Sequence, residues 1–173
     1  MEEPQPETHK KVKVCFLGPA GTGKTQLINQ FIDNTFSEVY DATIGVDFRS
    51  INYKECKLQI WDTAGQERFQ SLLPAYCKDS RFQIFVYDIT SKKSFTDLNK
   101  LIGIADQVTE EGSGERILIG NKSDLESKRE VPYAEAQEFA AKKGMFFLEI
   151  STKNFDREKF WSLFDEVLTK LSF

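Results

Sequence analysis

The sequence has few of the residues that build disulfide frameworks and metal centres, with three cysteines and one histidine among 173 residues. Cys15, Cys56 and Cys77 are odd in number and share no spacing typical of a disulfide framework or a metal site, so we expect reduced thiols. His9 lies in a polar stretch that follows two prolines. We interpret it as a solvated side chain rather than a ligand or a general base.

Long hydrophobic runs are missing as well. No segment has the apolar core of a secretory signal or the length needed to span a bilayer. Glu2 excludes N-myristoylation, and no cysteine that could be prenylated follows Cys77. We therefore expect a cytoplasmic protein that meets membranes only indirectly, or that becomes peripheral on them through a lipidated tail absent from this chain.

Positive charge is not in excess, since the formal net charge is −4. This balance argues against a nucleic-acid partner, because such proteins present a basic face. A hydrophobic share of 40% and a length of 173 residues predict one soluble globular domain with one sizeable core. The first ten residues are polar and contain Pro4 and Pro6. We expect a disordered arm over 1–10 and a single, monomeric domain over 11–173.

Apolar periodicity predicts strands and helices that alternate along this domain. Strands are expected near 11–17, 46–51, 56–61, 82–88, 116–120 and 145–149, and helices near 24–33, 67–78, 94–108, 133–143 and 156–171. No helix separates the second and third strands, which therefore form an antiparallel hairpin. The pattern predicts an α/β fold: a six-stranded, mostly parallel sheet with one antiparallel strand and about five helices on its two faces.

A glycine-rich stretch, Gly18-Pro19-Ala20-Gly21-Thr22-Gly23-Lys24-Thr25, joins the first strand to the first helix. It fits G-x-x-x-x-G-K-[ST], the loop that wraps nucleotide phosphates. Backbone N–H groups and the helix N-terminus would bind the phosphates, at Gly18, Gly21, Thr22 and Gly23. Lys24 would neutralise the outer phosphates, and the Thr25 hydroxyl would hold Mg²⁺. The alternative is a glycine-rich turn with an accidental lysine, which the flanking strand and helix argue against.

Ligands of open sheets lie beyond the carboxyl ends of the strands, and polar residues follow the third strand directly. Asp62 can hold the magnesium, usually through water, although it could instead cap the next helix. The Gly65 N–H could contact a terminal phosphate, and Gln66 could orient an attacking water. A loop glutamine is often only solvated, but its place beside a magnesium aspartate favours a catalytic role.

Two further loops have the chemistry of base recognition. Asp124, in Asn121-Lys122-Ser123-Asp124, can accept hydrogen bonds from the N1–H and the C2 amino group of guanine. Adenine has no donor at N1 and no amino group at C2. Lys122 can lie on the base, and Asn121 can connect this loop to the phosphate loop. The backbone of Ser151-Thr152-Lys153, after the sixth strand, can donate to the guanine O6.

Together these segments resemble the five nucleotide-binding boxes of the Ras-like small GTPases. The boxes are Gly18–Thr25, Thr43, Asp62–Gln66, Asn121–Asp124 and Glu149–Lys153. Ile44–Phe48 and Lys57–Trp61, followed by Asp62–Phe69, resemble the Rab family, and Ile84–Asp88 is a looser match. The resemblance covers the chain from about Lys11 onward and implies the small G domain of the P-loop NTPases, with GTP or GDP and Mg²⁺ as ligands.

The resemblance also assigns residues that the pattern alone does not. It implies that Thr43 reaches magnesium and the γ-phosphate and that Phe36 packs edge-on against the guanine. Phe48, Trp61 and Tyr76 would form the aromatic triad that Rab proteins present to effectors. Effectors of the GTP state are therefore expected on Ile44–Phe48, Trp61, Phe69 and Tyr76, alongside an exchange factor and a GTPase-activating protein (GAP). Each of these aromatic residues could instead be ordinary core packing.

The sequence departs from the family pattern at several positions. The hairpin between the two switch regions is about four residues shorter than in typical Rab proteins, an even number that keeps each side chain on its face. Ala20 and Thr152 replace the usual residues of their boxes, and Gln83 is polar in a strand expected to be apolar. Pro74 should break or kink the predicted helix at 67–78.

These observations predict a GTP-binding switch, and the resemblance to Rab proteins implies that it acts in vesicle and membrane trafficking. No arginine stands in a motif position to act as a finger within the chain, so intrinsic hydrolysis should be slow and a GAP could raise it roughly 10³–10⁵-fold. Two alternatives stay open at this point. One is a scaffold that binds guanine nucleotide with little hydrolysis, and the other is a P-loop enzyme such as a nucleotide kinase, whose acceptor pocket we cannot identify in the sequence.

Overall fold

The structure is a computed structural model and describes residues 9–33, 46–63, 65 and 67–171. Residues 1–8 of the arm predicted over 1–10 lie outside the described residues, as do three predicted site residues, Phe36, Thr43 and Gln66. The same holds for Ile44 and Gly45 of the expected effector surface. Strand β1 already begins at Lys10, one residue before the predicted strand and inside the predicted arm.

In the described ranges, six strands and five α-helices follow the predicted order. The strands are β1 Lys10–Leu17, β2 Val46–Tyr53, β3 Cys56–Thr63, β4 Phe82–Asp88, β5 Glu115–Asn121 and β6 Phe146–Glu149. The helices are α1 Lys24–Asp33, α2 Leu73–Cys77, α3 Lys92–Asp106, α4 Tyr133–Lys142 and α5 Arg157–Thr169. Two 3₁₀ segments, Glu67–Leu72 and Ser123–Lys128, complete the set, and the second was not predicted.

The strands form one sheet in the order β2-β3-β1-β4-β5-β6. Strand β2 runs antiparallel to β3 from Val46 opposite Thr63 to Tyr53 opposite Cys56, and the other neighbours are parallel. The predicted fold class is therefore confirmed. Because the parallel strands all point the same way, the loops after β1, β3, β5 and β6 meet at one rim.

Alternating side chains of the central strands fill two separate cores. On one face Val12, Val14 and Phe16 of β1 pack with α1 and α5, and on the other face Cys15 and Leu17 pack with α2, α3 and α4. A sheet buried on both sides needs apolar residues at successive positions, which explains the apolar runs Val14–Leu17 in β1 and Ile84–Tyr87 in β4. The rim that carries the loops is held rigid by this packing.

The polar Gln83 in buried β4 is explained by a complete set of hydrogen bonds. Its amide nitrogen donates to Ser80 Oγ at 3.2 Å and Thr109 Oγ1 at 2.7 Å, and its oxygen accepts from Arg116 Nε at 2.9 Å. Arg116 in turn pairs with Asp106 at 2.6 Å. A buried amide costs little when every donor and acceptor is satisfied, so this position tolerates a polar residue.

Pro74 divides the predicted helix at 67–78 into two segments. The 3₁₀ segment ends at Leu72, and α2 begins at Leu73 with Pro74 in its first turn. Proline is accepted there because the first helical N–H groups have no partner within the helix. The expectation of one broken or kinked helix is confirmed in this form.

The shortened hairpin between β2 and β3 is fixed against α5. The ring of Tyr53 stacks on Trp161 with a centroid distance of 4.0 Å, and its hydroxyl donates to Asp165 Oδ1 at 2.7 Å. Lys54, in the two-residue turn, pairs with the other oxygen of Asp165 at 2.8 Å. Trp161 is thus a packing residue, as its position beside the apolar stripe of α5 indicates.

All three cysteines are buried free thiols, in agreement with the sequence. The Sγ atoms of Cys15 and Cys77 lie 3.8 Å apart, and the hydrogen bond between them raises the pKa of the Cys15 thiol, as does its burial. Among the described residues, no helix has both the length and the apolar character that crossing a bilayer would require.

The aromatic core beneath α5 gives a stability test. Phe164 is buried and stacks on Phe82 at 4.8 Å, so Phe164→Ala should lower the free energy of unfolding by about 3–5 kcal/mol through lost burial and a cavity. Ser162→Ala, on the exposed face of the same helix, should change it by less than about 0.5 kcal/mol. Urea denaturation with saturating nucleotide measures both, and equal losses would contradict the packing described.

Candidate phosphate- and base-binding site

The predicted phosphate loop requires glycine at two places for different reasons. Gly23 has φ +91°, and a Cβ there would lie 2.3 Å from Asn121 Nδ2. Gly18 has no positive φ, but a Cβ would meet the Val86 carbonyl oxygen at 2.3 Å. The loop therefore sits tightly between β4 and the Asn121 side chain, and α1 begins directly after it at Lys24. Backbone amides at the start of a helix form an anion-binding site.

The Lys24 ammonium lies within this loop. Its Nζ donates to the Gly18 carbonyl at 2.7 Å and to the Pro19 carbonyl at 3.0 Å, and only 6% of the residue is exposed. Burial lowers the pKa of Lys24 to about 8, and the Asp62 carboxylate opposes that shift. A cation held in a low-dielectric loop interacts with phosphate more strongly than a solvated lysine would.

The two described residues predicted to hold magnesium are in contact. Thr25 Oγ1 donates to Asp62 Oδ2 at 2.5 Å, so a hydroxyl of α1 and a carboxylate at the end of β3 share one point of the rim. Both are hard oxygen donors, the type that Mg²⁺ binds, and the set fits that ion. No cluster of three or more His, Cys, Asp or Glu side chains with metal-site geometry occurs in the described part of the chain. A magnesium site completed by phosphate and water does not need one.

Gly65 lies directly against the phosphate loop. A Cβ at this position would be 2.2 Å from the Ala20 nitrogen and 2.4 Å from the Pro19 carbonyl carbon, so only glycine fits. The backbone that follows β3 thus touches the loop that follows β1. Gln66, the next residue, lies outside the described residues.

The Asn121 side chain connects the phosphate loop to both base loops. Its Nδ2 donates to the Thr22 carbonyl at 2.8 Å, and its Oδ1 accepts from the N–H of Lys122 at 2.7 Å and of Thr152 at 3.2 Å. The residue has no exposed surface. Because the Thr152 N–H is already used by Asn121, it is not the backbone donor that would meet a base.

Asp124 and Lys122 present their charges at the same rim. Asp124 is exposed, and its Oδ1 accepts from the Ser151 hydroxyl at 2.7 Å, so the two base loops contact each other. Lys122 has the left-handed φ of +65° and pairs with Asp88 Oδ2 at 2.7 Å. Lys153 is exposed on the same loop as Ser151. The Asp124 carboxylate thus lies where the edge of a base would bind, and the Lys122 side chain lies where the face of that base would bind.

Two residues that support these loops were missed by the sequence argument. Arg129 donates to both oxygens of Glu149 at 2.7 Å, also pairs with Glu126, and so joins the Ser123–Lys128 segment to the end of β6. The carboxylates of Glu149 and Glu126 hold the pKa of Arg129 above its usual value. Gln30 of α1 donates to the Thr152 carbonyl at 2.6 Å. Neither belongs to a motif, and no local pattern marks their support of the loops, because the partners Glu149 and Thr152 are distant in sequence.

The Arg129–Glu149 pair yields a second stability prediction. Arg129→Met should lower the free energy of unfolding by about 2–4 kcal/mol, because it leaves the Glu149 carboxylate without its partner. The side chain of Glu149 is only 9% exposed. Lys142→Met removes a solvent-exposed ion pair with Glu138 and should lower the free energy of unfolding by less than about 0.5 kcal/mol. Urea denaturation compares the two variants. A loss as small for Arg129→Met as for the control would contradict a structural role for the pair.

Known proteins resemble this chain along most of its length. The model of the Ras family matches residues 13–172. The chain is 42% identical over 168 residues to the Ras-related protein Rab-12 of Mus musculus, of Rattus norvegicus and of Homo sapiens. The matches cover 93% of this chain and 69%, 69% and 68% of those proteins. The chain therefore belongs to the Ras family, in which it is a Rab-like small GTPase.

Proposed function

We propose that this protein is a guanine-nucleotide switch of membrane trafficking that binds GDP and GTP with Mg²⁺, hydrolyses GTP slowly and binds effectors in the GTP state. The observation that carries the proposal is the connection through Asn121, whose one buried side chain joins the phosphate loop to both base loops. A ligand with a phosphate end and a purine end fits such a rim. Ras-family GTPases bind GTP and GDP, and Rab proteins act with effectors, exchange factors and GAPs.

The phosphate end would rest on the loop amides and Lys24. The carbonyls of Gly18 and Pro19 hold the ammonium inside the loop, where it can turn to the outer phosphate oxygens. Thr25 and Asp62, with Thr43 from outside the described residues, would hold Mg²⁺, which neutralises charge on the phosphates when bound. The short Thr25–Asp62 contact supports this assignment, because both oxygens already converge on one point.

Hydrolysis would depend on positioning rather than on covalent chemistry. We assign Gln66 to orient the attacking water and the Gly65 N–H to contact the γ-phosphate. The tight approach of Gly65 to Ala20 supports this, because it brings the backbone before Gln66 against the phosphate loop. The chain offers no arginine at a motif position, so a GAP would supply the charge stabilisation that makes turnover fast.

Base selection would come from Asp124. Its carboxylate would accept from the N1–H and amino group of guanine, and with adenine it would stay unpaired. The Ser151 hydroxyl already donates to one oxygen of Asp124, which fixes the carboxylate in place. Lys122 would cover one face of the base with its stem, Phe36 would contact the base edge-on, and the backbone of Ser151 or Lys153 would donate to O6.

Effectors would bind an aromatic surface formed by Phe48, Trp61 and Tyr76. The ring centroids of Phe48 and Trp61 are 4.8 Å apart, and those of Trp61 and Tyr76 are 5.4 Å apart, so the three form one continuous cluster. Phe48 is 45% exposed, which is unusual for so large an apolar side chain. Ile44–Phe48 and Phe69 would respond to the γ-phosphate, and this response would couple the nucleotide state to effector binding at the cluster.

The first test of this function concerns Gln66. Gln66→Leu should slow GTP hydrolysis in a single-turnover assay of phosphate release, because leucine cannot orient water. Its affinity for GDP should stay within about twofold of the parent protein, since no ground-state contact is removed. A large loss of nucleotide affinity would contradict the assigned role. Absence of phosphate release from the parent protein, even with GAP activity present, would indicate a binding scaffold instead.

The second test concerns the base. Asp124→Asn should shift nucleotide preference from guanine towards xanthine, because the amide offers a donor where xanthine presents a carbonyl and no amino group. Competition of GDP and XDP against a fluorescent nucleotide, with free Mg²⁺ held constant, measures the change. Glu126→Gln, on the same segment but directed to Arg129, serves as the matched control and should leave the preference unchanged. Unchanged GDP preference in Asp124→Asn would exclude this mode of base recognition.

A further inference from the structure

The face of the sheet that carries the aromatic cluster also carries a strip of lysines. Strand alternation places Lys11 and Lys13 of β1 and Lys57 of β3 on the face opposite to Val12 and Leu58, which point into the core. Lys11 and Lys57 are exposed, and Lys78, just after α2, adjoins them because Lys13 Nζ donates to its carbonyl at 2.7 Å. We call Lys11, Lys13, Lys57 and Lys78 the basic strip.

The register places two of these charges side by side. Lys11 and Lys57 are direct partners across the parallel pair of β1 and β3. Like charges at directly opposite positions destabilise a sheet, and a fold that keeps such a pair on its surface carries a local cost. A loss of folding stability that no other contact in the fold compensates is expected where a surface binds a partner.

No carboxylate of the described residues neutralises the strip. Lys11, Lys57 and Lys78 make no ion pair there, and Lys13 lies instead over the Trp61 ring at 5.4 Å. Other surface lysines of the same chain are paired, such as Lys54–Asp165, Lys93–Asp97 and Lys142–Glu138. Four lysines without a carboxylate partner among the described residues thus lie together on one face of a chain whose net charge is −4.

The strip and the aromatic cluster form one surface. Along β3 the residues on this face are Lys57, Gln59 and Trp61, and Phe48 of β2 lies directly opposite Trp61. Within the part of the chain that the structure describes, the aromatic end of this face borders α2 through Tyr76. At the other end Lys11 and Lys57 are exposed. A ligand that reaches Phe48 and Trp61 along the sheet thus passes over the lysines.

We propose that this surface binds a partner segment in which acidic residues adjoin an apolar side chain. The apolar side chain would pack on Phe48 and Trp61, and the carboxylates would pair with Lys11, Lys13, Lys57 and Lys78. A protein segment fits better than an anionic bilayer, because the strip is local and the rest of this acidic chain would be repelled by such a bilayer. The inference rests on the proposed effector surface, and it specifies that the partner bound there carries negative charge.

The test uses the full-length chain loaded with a non-hydrolysable GTP analogue and a fluorescent synthetic peptide of alternating glutamate and leucine residues. Anisotropy titration gives the dissociation constant at several salt concentrations. Binding should weaken with added salt, and the double variant Lys11→Gln/Lys57→Gln should weaken it roughly 3- to 30-fold, the sum expected for two surface ion pairs. The double variant Lys100→Gln/Lys128→Gln removes the same charge elsewhere and should change binding less than twofold.

The fold of the test variant is measured independently of binding. Because Lys11→Gln/Lys57→Gln removes a like-charge pair and no contact within the described residues, its Tm should equal or exceed that of the parent chain. A control peptide with glutamine in place of each glutamate removes the negative charge from the ligand. Its affinity for the parent chain should be no higher than the affinity of the acidic peptide for the Lys11→Gln/Lys57→Gln variant.

Other outcomes would overturn the proposal in distinguishable ways. If both double variants bind the acidic peptide like the parent while Phe48→Ala does not, the effector surface stands and the acidic partner is wrong. If the strip variant loses binding only to phosphatidylserine vesicles, the ligand is a bilayer. If deletion of residues 1–8, which contain Glu2, Glu3 and Glu7, raises peptide affinity as much as the strip variant lowers it, the strip belongs to the chain's own arm.

Discussion

The architecture of the rim depends on one buried amide, the side chain of Asn121. It donates to the phosphate loop through the Thr22 carbonyl and accepts from the N–H groups of Lys122 and Thr152 in the two base loops. Thr22 and Asn121 are 99 residues apart in sequence. A Cβ at Gly23 would collide with this amide, so the position requires glycine. A hydrogen-bonding group without access to water holds its geometry strictly, since each lost bond leaves a costly unpaired atom. The distance between the phosphate and base subsites is thereby fixed.

The sheet makes this arrangement possible because its faces provide the packing and the ends of its strands carry the polar loops. Its two apolar faces are covered by α1 and α5 on one side and α2, α3 and α4 on the other, which gives the strand ends a rigid base. The carboxyl ends of the parallel strands then deliver short polar loops to one edge. Among the described residues, part of one face around β2 and β3 carries lysines and aromatic residues, and α2 borders its aromatic end through Tyr76. That area offers a partner both positive charge and exposed aromatic surface.

Several residues acquire their meaning only from contacts between distant segments. Arg129 has no motif around it, yet it holds Glu149 and thus the end of β6. Gln83 is at odds with an apolar strand until Ser80, Thr109 and Arg116 satisfy its amide. The shortened hairpin finds its support on α5, where Tyr53 stacks on Trp161 and bonds to Asp165. Buried polar groups are tolerated when every bond is made, and those bonds are set by the tertiary fold.

Local patterns in the sequence were sufficient for the order of strands and helices, the fold class, the phosphate-loop motif and the family. Each depends on periodicity or on residues close together in the chain, and Pro74 marks the break in its helix by its missing N–H alone. The tertiary structure decided which N–H groups are already used, as Thr152 shows, and which charges are paired. It also decided the unpredicted 3₁₀ turn at Ser123–Lys128, which Arg129 stabilises through Glu149. Such contacts join residues far apart in sequence, so no local pattern encodes them, and the exposed lysine pair of β1 and β3 becomes visible only once the strands are in register.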